Sequence, residues 1–319
     1  MAALVEALLP GDDQLDLERV IEVDTDVGSL WLERNAEILT PTVLESGRWQ
    51  SDMNDLLRRI LRPGMTVVDA GANIGYLSVL ASKLVGPTGR VHCIEADPAN
   101  VSILRANLSK NGCSNAVVLP VAAWSERAEL NLSVVPEGGP CSHVRAGPPE
   151  DTTVPAYRLD ELIDGRVDYL KIDCEGTDHL VLRGAARLFD RNPDLIATVE
   201  FVPDETMHTG DEPRQILEMY RTMELKPYFV STRGHLRPTT YERVASSGSD
   251  ERLVVLDFAL SMRRPTRQVV SYYLVDVPVL AWERLLKLGG DLLEYVPEPI
   301  RPKIRRRDRN GESSAARLD

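Results

Sequence analysis

From Met65 onward, short continuous apolar runs alternate with longer segments whose apolar residues recur every three or four positions. "MTVVDA" (65–70), "RVHCIEA" (90–96), "NAVVLPVAA" (115–123), "VDYLKID" (167–173) and "DLIATVEF" (194–201) read as strands buried on both faces. Between them, "GYLSVLASKLV", "DPANVSILRANLSKNG" and "TDHLVLRGAARLF" have helical spacing, and "PRQILEMYRTM" follows the last strand. Asp97-Pro98 opens the second of these helices and Asn111-Gly112 closes it. Such alternation predicts an α/β chain with a mostly parallel sheet and helices on both faces. "KPYFVST" and "ERLVVLDFAL" come last with no clear helix between them, which predicts a hairpin and an antiparallel pair at one sheet edge.

Other stretches depart from this rhythm. "RVIEVDTD" and "SLWLERNAEIL" flank "VGS" and predict a strand hairpin, and "SDMNDLLRRIL" predicts a helix closed by "RPG". Residues 126–158 contain "EGGP" and "GPPE" and read as a loop-rich insertion with one or two strands. In 264–300, "AWERLLKLGGDLLEYV" has helical spacing broken by Gly289-Gly290, as expected of a docked helix pair, a lid or a homo-oligomer contact. The chain therefore divides into an N-terminal extension (1–60), a central domain (61–263), a helical extension (264–300) and a basic, disordered tail (301–319).

Composition narrows the function. The net charge of -12 argues against nucleic acid as the main partner, because phosphates need a positive surface. The tail from Arg301 is the basic exception. The four cysteines form no C-x-x-C pair, so a disulfide framework is not expected and a reducing compartment is. The first residues lack a basic leader, and no apolar stretch reaches the roughly 18–20 residues of a membrane helix. These readings predict a soluble, cytoplasmic protein.

The chemistry concentrates after the first strand of the alternating region. In "VVDAGANIGY" (67–76), Gly71 and Gly75 let the backbone turn sharply and come close to a ligand. The next helix points its N-terminus at the same place. One strand later Glu95 closes an apolar run, where a carboxylate can accept bonds from ribose hydroxyls. Two cofactor classes fit a glycine loop followed by such an acid: a nicotinamide or flavin dinucleotide, and S-adenosyl-L-methionine. Dinucleotide loops carry G-x-G-x-x-G, but Ala72 and Asn73 stand here where a pyrophosphate needs bare backbone. Asp69 adds a negative charge that suits a sulfonium and an amino group better than a pyrophosphate.

"GANIGY", "IEADP", the spaced Asn107 and Asn111, and "LDELIDGRVDYLKIDCEGTDHLVLRGA" (159–185) together resemble the FkbM family of S-adenosylmethionine-dependent methyltransferases. The resemblance covers about residues 40–230. Ala96 stands where the family often has proline, and Asp178 where it usually has glutamate. The resemblance implies a Rossmann-like class I methyltransferase fold, with a mostly parallel seven-stranded sheet, an antiparallel edge strand and helices on both faces. It also implies methyl transfer from S-adenosyl-L-methionine, usually to a hydroxyl of a sugar or natural product. Asp69, Gly71, Asn73 and Gly75 would then embrace the methionine half, with Tyr76 beside them. Glu95 would hold the ribose, and Ala123 and Trp124 would meet the adenine. Trp124 reads equally well as core, and Trp49 could help close the site.

A hydroxyl acceptor must be aligned and lose its proton, so a base or a metal is useful. The candidates lie at the next two strand ends. Asp173 and Glu175 alternate along an extended chain and can share a face, although either could simply be an acid at a helix N-terminus. Lys171 could pair with one of them. Glu200 closes the fifth strand, and the loop after it holds Asp204, Glu205 and His208. His208 is a candidate general base, with His179 second. Asp173, Glu200 and a loop acid could instead hold Mg²⁺ or Ca²⁺. Two other readings compete: a nicotinamide-dependent oxidoreductase, and an adenosine-ligand-binding protein without catalysis.

Overall fold

The computed structural model describes residues 15–133, 143–146, 152–201, 209–231, 233–247 and 256–261, and the short stretches 306–307 and 313–314. The chain divides into two compact units, Met1–Val270 and Ser271–Asp319. In the second, Arg306–Arg307 pairs antiparallel with Ser313–Ser314 within the expected basic tail. The helical extension expected at 264–300 lies outside the described residues.

The first unit begins with the expected hairpin, β1 (Val20–Thr25) and β2 (Gly28–Glu33), followed by α1 (Leu39–Ser46) and α2 (Ser51–Ile60). The alternating region follows: β3 (Thr66–Ala70), α3 (Tyr76–Val85), β4 (Arg90–Ile94), α4 (Pro98–Lys110) and β5 (Ala116–Leu119). Asp97 caps α4 by accepting a 2.8 Å bond from the Ala99 amide, and Pro98 takes the first turn, where no N–H is needed. A smaller group of strands comes next: β6 (Ala122–Ala123), β7 (Ala128–Ser133), β8 (His143–Arg145) and β9 (Thr153–Tyr157). Then come α5 (Leu159–Leu162), β10 (Tyr169–Ile172), α6 (Asp178–Gly184), α7 (Ala186–Arg191), β11 (Ile196–Phe201) and α8 (Pro213–Thr222). The unit closes with β12 (Lys226–Val230), β13 (Leu236–Pro238), α9 (Tyr241–Ser247) and β14 (Leu256–Ser261).

The main sheet has the order β13-β12-β14-β11-β10-β3-β4-β5, and β11, β10, β3, β4 and β5 run parallel. It has eight strands where seven were expected, because the three-residue β13 adds an antiparallel edge. β12 and β14 are antiparallel as expected, but they are not a hairpin. β13 and α9 intervene, and β14 inserts between β12 and β11 instead of lying at the edge.

Strand alternation sends side chains to two cores. Val67, Val91, Cys93 and Val118 pack on one face with residues of α2, α3 and α4. Val68, Ala70, Ile94, Leu119, Leu170 and Ile172 pack on the other with α6, α7, α8 and α9. The helices therefore cover both faces, as the apolar runs predict.

The loop-rich insertion holds more structure than expected. It forms a four-stranded sheet of order β6-β9-β7-β8, with a small core of Ala122, Trp124, Leu130, Leu132, Val154, Ala156 and Leu180. The single run "NAVVLPVAA" splits between the two sheets. Pro120 has no N–H for a ladder, so β5 stops at Leu119 and the chain leaves for β6. No helix of the described residues is long and apolar enough to cross a membrane.

The extension is stitched to the first crossover by two asparagines of α4. Asn107 is fully buried. Its Oδ1 accepts from the Trp31 amide at 2.6 Å, and its Nδ2 donates to the carbonyls of Trp31 (2.9 Å) and Ile74 (2.8 Å). Asn111 Nδ2 donates to the Ser29 carbonyl at 2.9 Å. The two side chains, four residues apart on one helix face, thus imitate a ladder against alternate residues of β2. A buried polar group left without a partner costs roughly 1–3 kcal/mol, and Asn107→Leu strands three of them, so it should lower stability by at least about 2 kcal/mol. Asn111→Leu should cost less. Urea denaturation of both variants checks this order.

Candidate functional site

The loop after β3 is built around Glu95. The amides of Gly71 and Ala72 donate to the Ile94 carbonyl at 3.0 and 2.9 Å, folding the loop over the end of β4. Glu95 Oε2 accepts from the Asn73 amide at 2.7 Å, and Oε1 accepts from the Asp97 amide at 2.9 Å. Asn73 itself is left-handed (φ 50°), a conformation asparagine tolerates better than most residues, and its Oδ1 accepts from the Ile74 amide at 2.7 Å. Burial raises the pKa of Glu95, and the two backbone amides work against that rise. Asn100 adds a side-chain hydrogen bond to this carboxylate, and with about four lone-pair sites on its two oxygens it keeps acceptor capacity beyond these bonds.

Gly71 and Gly75 have positive φ of 75° and 87°, as the turn needs. The obstacle to a side chain at either site is protein. A Cβ at 71 would lie 1.8 Å from the Asp173 carbonyl oxygen, and one at 75 would lie 2.4 Å from Leu104 Cδ1. The sequence suggested that these glycines clear a path for a ligand; the structure shows that Gly71 also lets two strand ends approach each other.

Those strand ends are β3 and β10, paired in register with Asp69 opposite Lys171. Lys171 is 7% exposed. Its Nζ donates to the Gly71 carbonyl at 2.9 Å and lies 3.2 Å from Asp173 Oδ2 and 3.4 Å from Asp69 Oδ1. Burial would lower its pKa, but the carboxylates of Asp173 and Asp69 outweigh burial and hold it well above the usual lysine value. Ser78 completes the Asp69 environment, donating to Oδ2 at 2.5 Å. Asp173 also receives a 3.2 Å bond from Gln50 Nε2.

Beyond this centre, Asp173, Glu175 and Glu200 bring a carboxylate oxygen each to within 4.8 Å of one another. Glu175 is left-handed (φ 51°), so the turn out of β10 aims its side chain off the strand course. Asp178 begins α6 and accepts from the Cys174 amide at 3.1 Å. Burial, reinforced by Asp173, pushes its pKa up to about 8. His179 is buried, with Nε2 3.0 Å from Asp211 Oδ2, and burial lowers its pKa against the pull of Asp211. His179 thus ties α6 to the start of α8.

The structure gathers Asp69, Gly71, Asn73, Gly75, Glu95, Asp173, Glu175 and Glu200 at neighbouring strand ends of one sheet. Tyr76 is 2% exposed and its hydroxyl bonds Asp26 in the β1–β2 turn, so that hydroxyl serves the extension. Ala123 is buried in the core shared with β3 and β4, and Trp124 in the core of the smaller sheet. His208, with Asp204 and Glu205, lies outside the described residues. In the sequence Lys171 reads only as a possible partner of a nearby acid, although a lysine in an apolar strand beside an acid signals a buried pair. Gln50 carried no signal, because its approach to Asp173 spans 123 residues.

A parallel sheet with a glycine loop after β3, an acid after β4 and carboxylates after β10 and at the end of β11 defines a Rossmann-like cofactor-binding fold. Residues 69–227, just under half of the chain, match the family model of the methyltransferase FkbM domain, so this span is an FkbM methyltransferase domain. It is 40% identical over 65 residues to a protein-L-isoaspartate O-methyltransferase of Aeropyrum pernix, covering 20% of this chain and 25% of that protein. It is 34% identical over 96 residues to the protein of the same name from Methanococcoides burtonii, covering 28% and 46%. The chain spans less than half the length of these curated relatives. A crystal structure of methyltransferase FkbM from Methylobacillus flagellatus KT aligns with a TM-score of 0.38 at 17% identity, covering 66% of this chain and 49% of that one.

Two predictions follow from the packing. Gly71→Ala should destabilise more than Gly75→Ala, since its Cβ meets a backbone carbonyl while the other meets the tip of a leucine. Overpacking typically costs about 1–3 kcal/mol, and Gly71→Ala belongs at the upper end; thermal unfolding of the two variants checks the order. The second concerns pH. Folded Asp178 keeps its proton up to about pH 8, whereas an unfolded aspartate releases it near pH 4. The folded state therefore binds more protons in that window, and Asp178 makes stability fall as pH rises from about 4 to about 8. Asp178→Asn should flatten this fall, read as a smaller difference in urea midpoint between pH 5 and pH 8.

Proposed function

We propose that the chain transfers the methyl group of S-adenosyl-L-methionine to a hydroxyl of a sugar or another small natural product. The observation that carries this reading is the Asp173 carboxylate, held against the Gly71 loop by Lys171 with Glu175 and Glu200 beside it. The cofactor supplies a methyl group already activated by its sulfonium. The donor and acceptor set suits it: Asp69 brings negative charge for a cationic ligand, and Glu95 keeps acceptor capacity for ribose hydroxyls. Asp69, Gly71, Asn73 and Gly75 would face the methionine half, Glu95 the ribose and Ala123 the adenine. We assign Tyr76 and Trp124 mainly to packing. Residues 61–263 would form the methyltransferase domain, with residues 1–60 as its extension.

Asp173 is our candidate for the group that orients the acceptor hydroxyl and takes its proton. Glu200 and Glu175 would hold the neighbouring hydroxyls of a polyhydroxylated acceptor. His208 is the alternative base. The same three carboxylates could instead hold Mg²⁺ or Ca²⁺, a reading that rests on oxygen chemistry alone.

Calorimetry with S-adenosyl-L-methionine, its demethylated product and NAD tests the cofactor; binding of NAD alone would overturn the reading. Acceptors are then sought with deuterium-labelled cofactor and a panel of glycosides, polyhydroxylated natural products and an isoaspartyl peptide, the last because of the curated relatives. Labelling of the peptide alone would replace the hydroxyl acceptor with a carboxylate one. With an acceptor in hand, Asp173→Asn should lower turnover by about 10²- to 10⁴-fold while cofactor affinity changes little. Near-normal turnover would move the base to His208, and loss of wild-type turnover on chelation would favour the metal.

A further inference from the structure

Asp173 is gripped on one oxygen from two directions. Lys171 Nζ lies 3.2 Å from Oδ2, and Gln50 Nε2 donates to the same oxygen at 3.2 Å. Oδ1 accepts no hydrogen bond among the described residues. The second grip comes from outside the FkbM-matched span, from the turn between α1 and α2.

That turn is built at a conformational disadvantage. Gln50 has φ 42° and ψ 64°, a left-handed backbone that disfavours a side chain with a Cβ, and it is neither glycine nor asparagine. Its neighbours keep it there. The fully buried Asn54 donates from Nδ2 to the carbonyls of Trp49 and Gln50, and its backbone amide donates to the Gln50 carbonyl at 2.9 Å. Asn54 Oδ1 is buried without a hydrogen-bond partner among the described residues, so the amide serves the turn at the expense of its own acceptor. A glycine would make this turn without strain. A glutamine makes it with a long amide that reaches Asp173.

We propose that Gln50 is a positioning residue: with Lys171 it locks Asp173 Oδ2 and leaves Oδ1 as the oxygen presented to the acceptor hydroxyl. The inference rests on the role given to Asp173 above. In the proposed transfer, the acceptor oxygen would bond the methyl carbon as the carbon–sulfur bond breaks to leave a neutral thioether, and Asp173 Oδ1 would take the hydroxyl proton. Gln50 takes no part in that exchange. It stops rotation of the carboxylate, which would turn the lysine-bound oxygen toward the acceptor.

Gln50→Leu and Gln50→Gly test this in the full chain by two readouts. The first needs no acceptor: carbodiimide labelling of Asp173, read by peptide mass spectrometry. Freed from one of its two grips, Asp173 should label at least about threefold faster in both variants. The second uses labelled S-adenosyl-L-methionine with the glycoside panel. There kcat should fall about tenfold or more while KM for the cofactor stays within about twofold. Gln50→Gly should unfold no lower in temperature than the wild type, because it relieves the strained backbone. Unchanged Asp173 labelling overturns the proposal. So does a lowered unfolding temperature with parallel losses of kcat and cofactor affinity, which would make Gln50 a packing residue. Absence of cofactor binding by the wild type would sink the methyltransferase reading instead, and the labelling result would still decide whether Gln50 grips Asp173.

Discussion

One buried ammonium holds the centre of this molecule together. Lys171 sits in the middle of a sheet, in contact with the carboxylates of Asp69 and Asp173 and the carbonyl of Gly71. Taking a lysine out of water is expensive unless opposite charges and acceptors replace the lost hydration. Here three acceptors from two adjacent strand ends do so. The requirement runs both ways: Asp69 is 2% exposed and needs a cation near it as much as the cation needs Asp69. The loop after β3 and the turn after β10 are thereby fixed relative to each other, and the close approach of Gly71 to the Asp173 carbonyl follows from that contact.

The second constraint is the closing of the glycine loop by Glu95. Both of its oxygens are bound to backbone amides of the protein. Glu95 is therefore part of the loop's architecture as well as a group with acceptor capacity to offer. Burial raises its pKa and the amides oppose this, so its electrostatics depend on the loop staying closed. In the role proposed for it at the ribose, Glu95 would couple cofactor recognition to local stability.

The extension belongs to the same construction. β2 is tied to α4 by Asn107 and Asn111, and Asn107 reaches on to Ile74 inside the glycine loop. Tyr76 at the start of α3 meets Asp26 in the hairpin turn, where Arg48 also pairs at 3.0 Å. Gln50 carries the connection to Asp173. Residues ahead of the first parallel strand thus reach both sides of the candidate site, although they lie outside the span matched by the FkbM domain.

Much of this was readable along the chain because its cause is local. Two-faced burial leaves continuous apolar runs, so the five parallel strands announce themselves, and Asp97-Pro98 marks the start of α4 as any helix start would. The glycine loop and Glu95 are close in sequence to the strands that position them, so their pairing was legible too. What the tertiary structure alone decided depends on distant partners. β14 inserts next to β11, and strand order is a property of the packed sheet that a linear pattern does not record. Pro120 divides one apolar run between two sheets, and only the second sheet reveals it. Trp124 reads as a binding residue or as core until Leu130, Leu132 and Val154 close around it. The asparagines of α4 find their meaning in a strand 76 and 82 residues away, and Gln50 finds its own in Asp173. A hydrogen bond spans about 3 Å of space, and no sequence spacing encodes it when the chain between its ends must first fold.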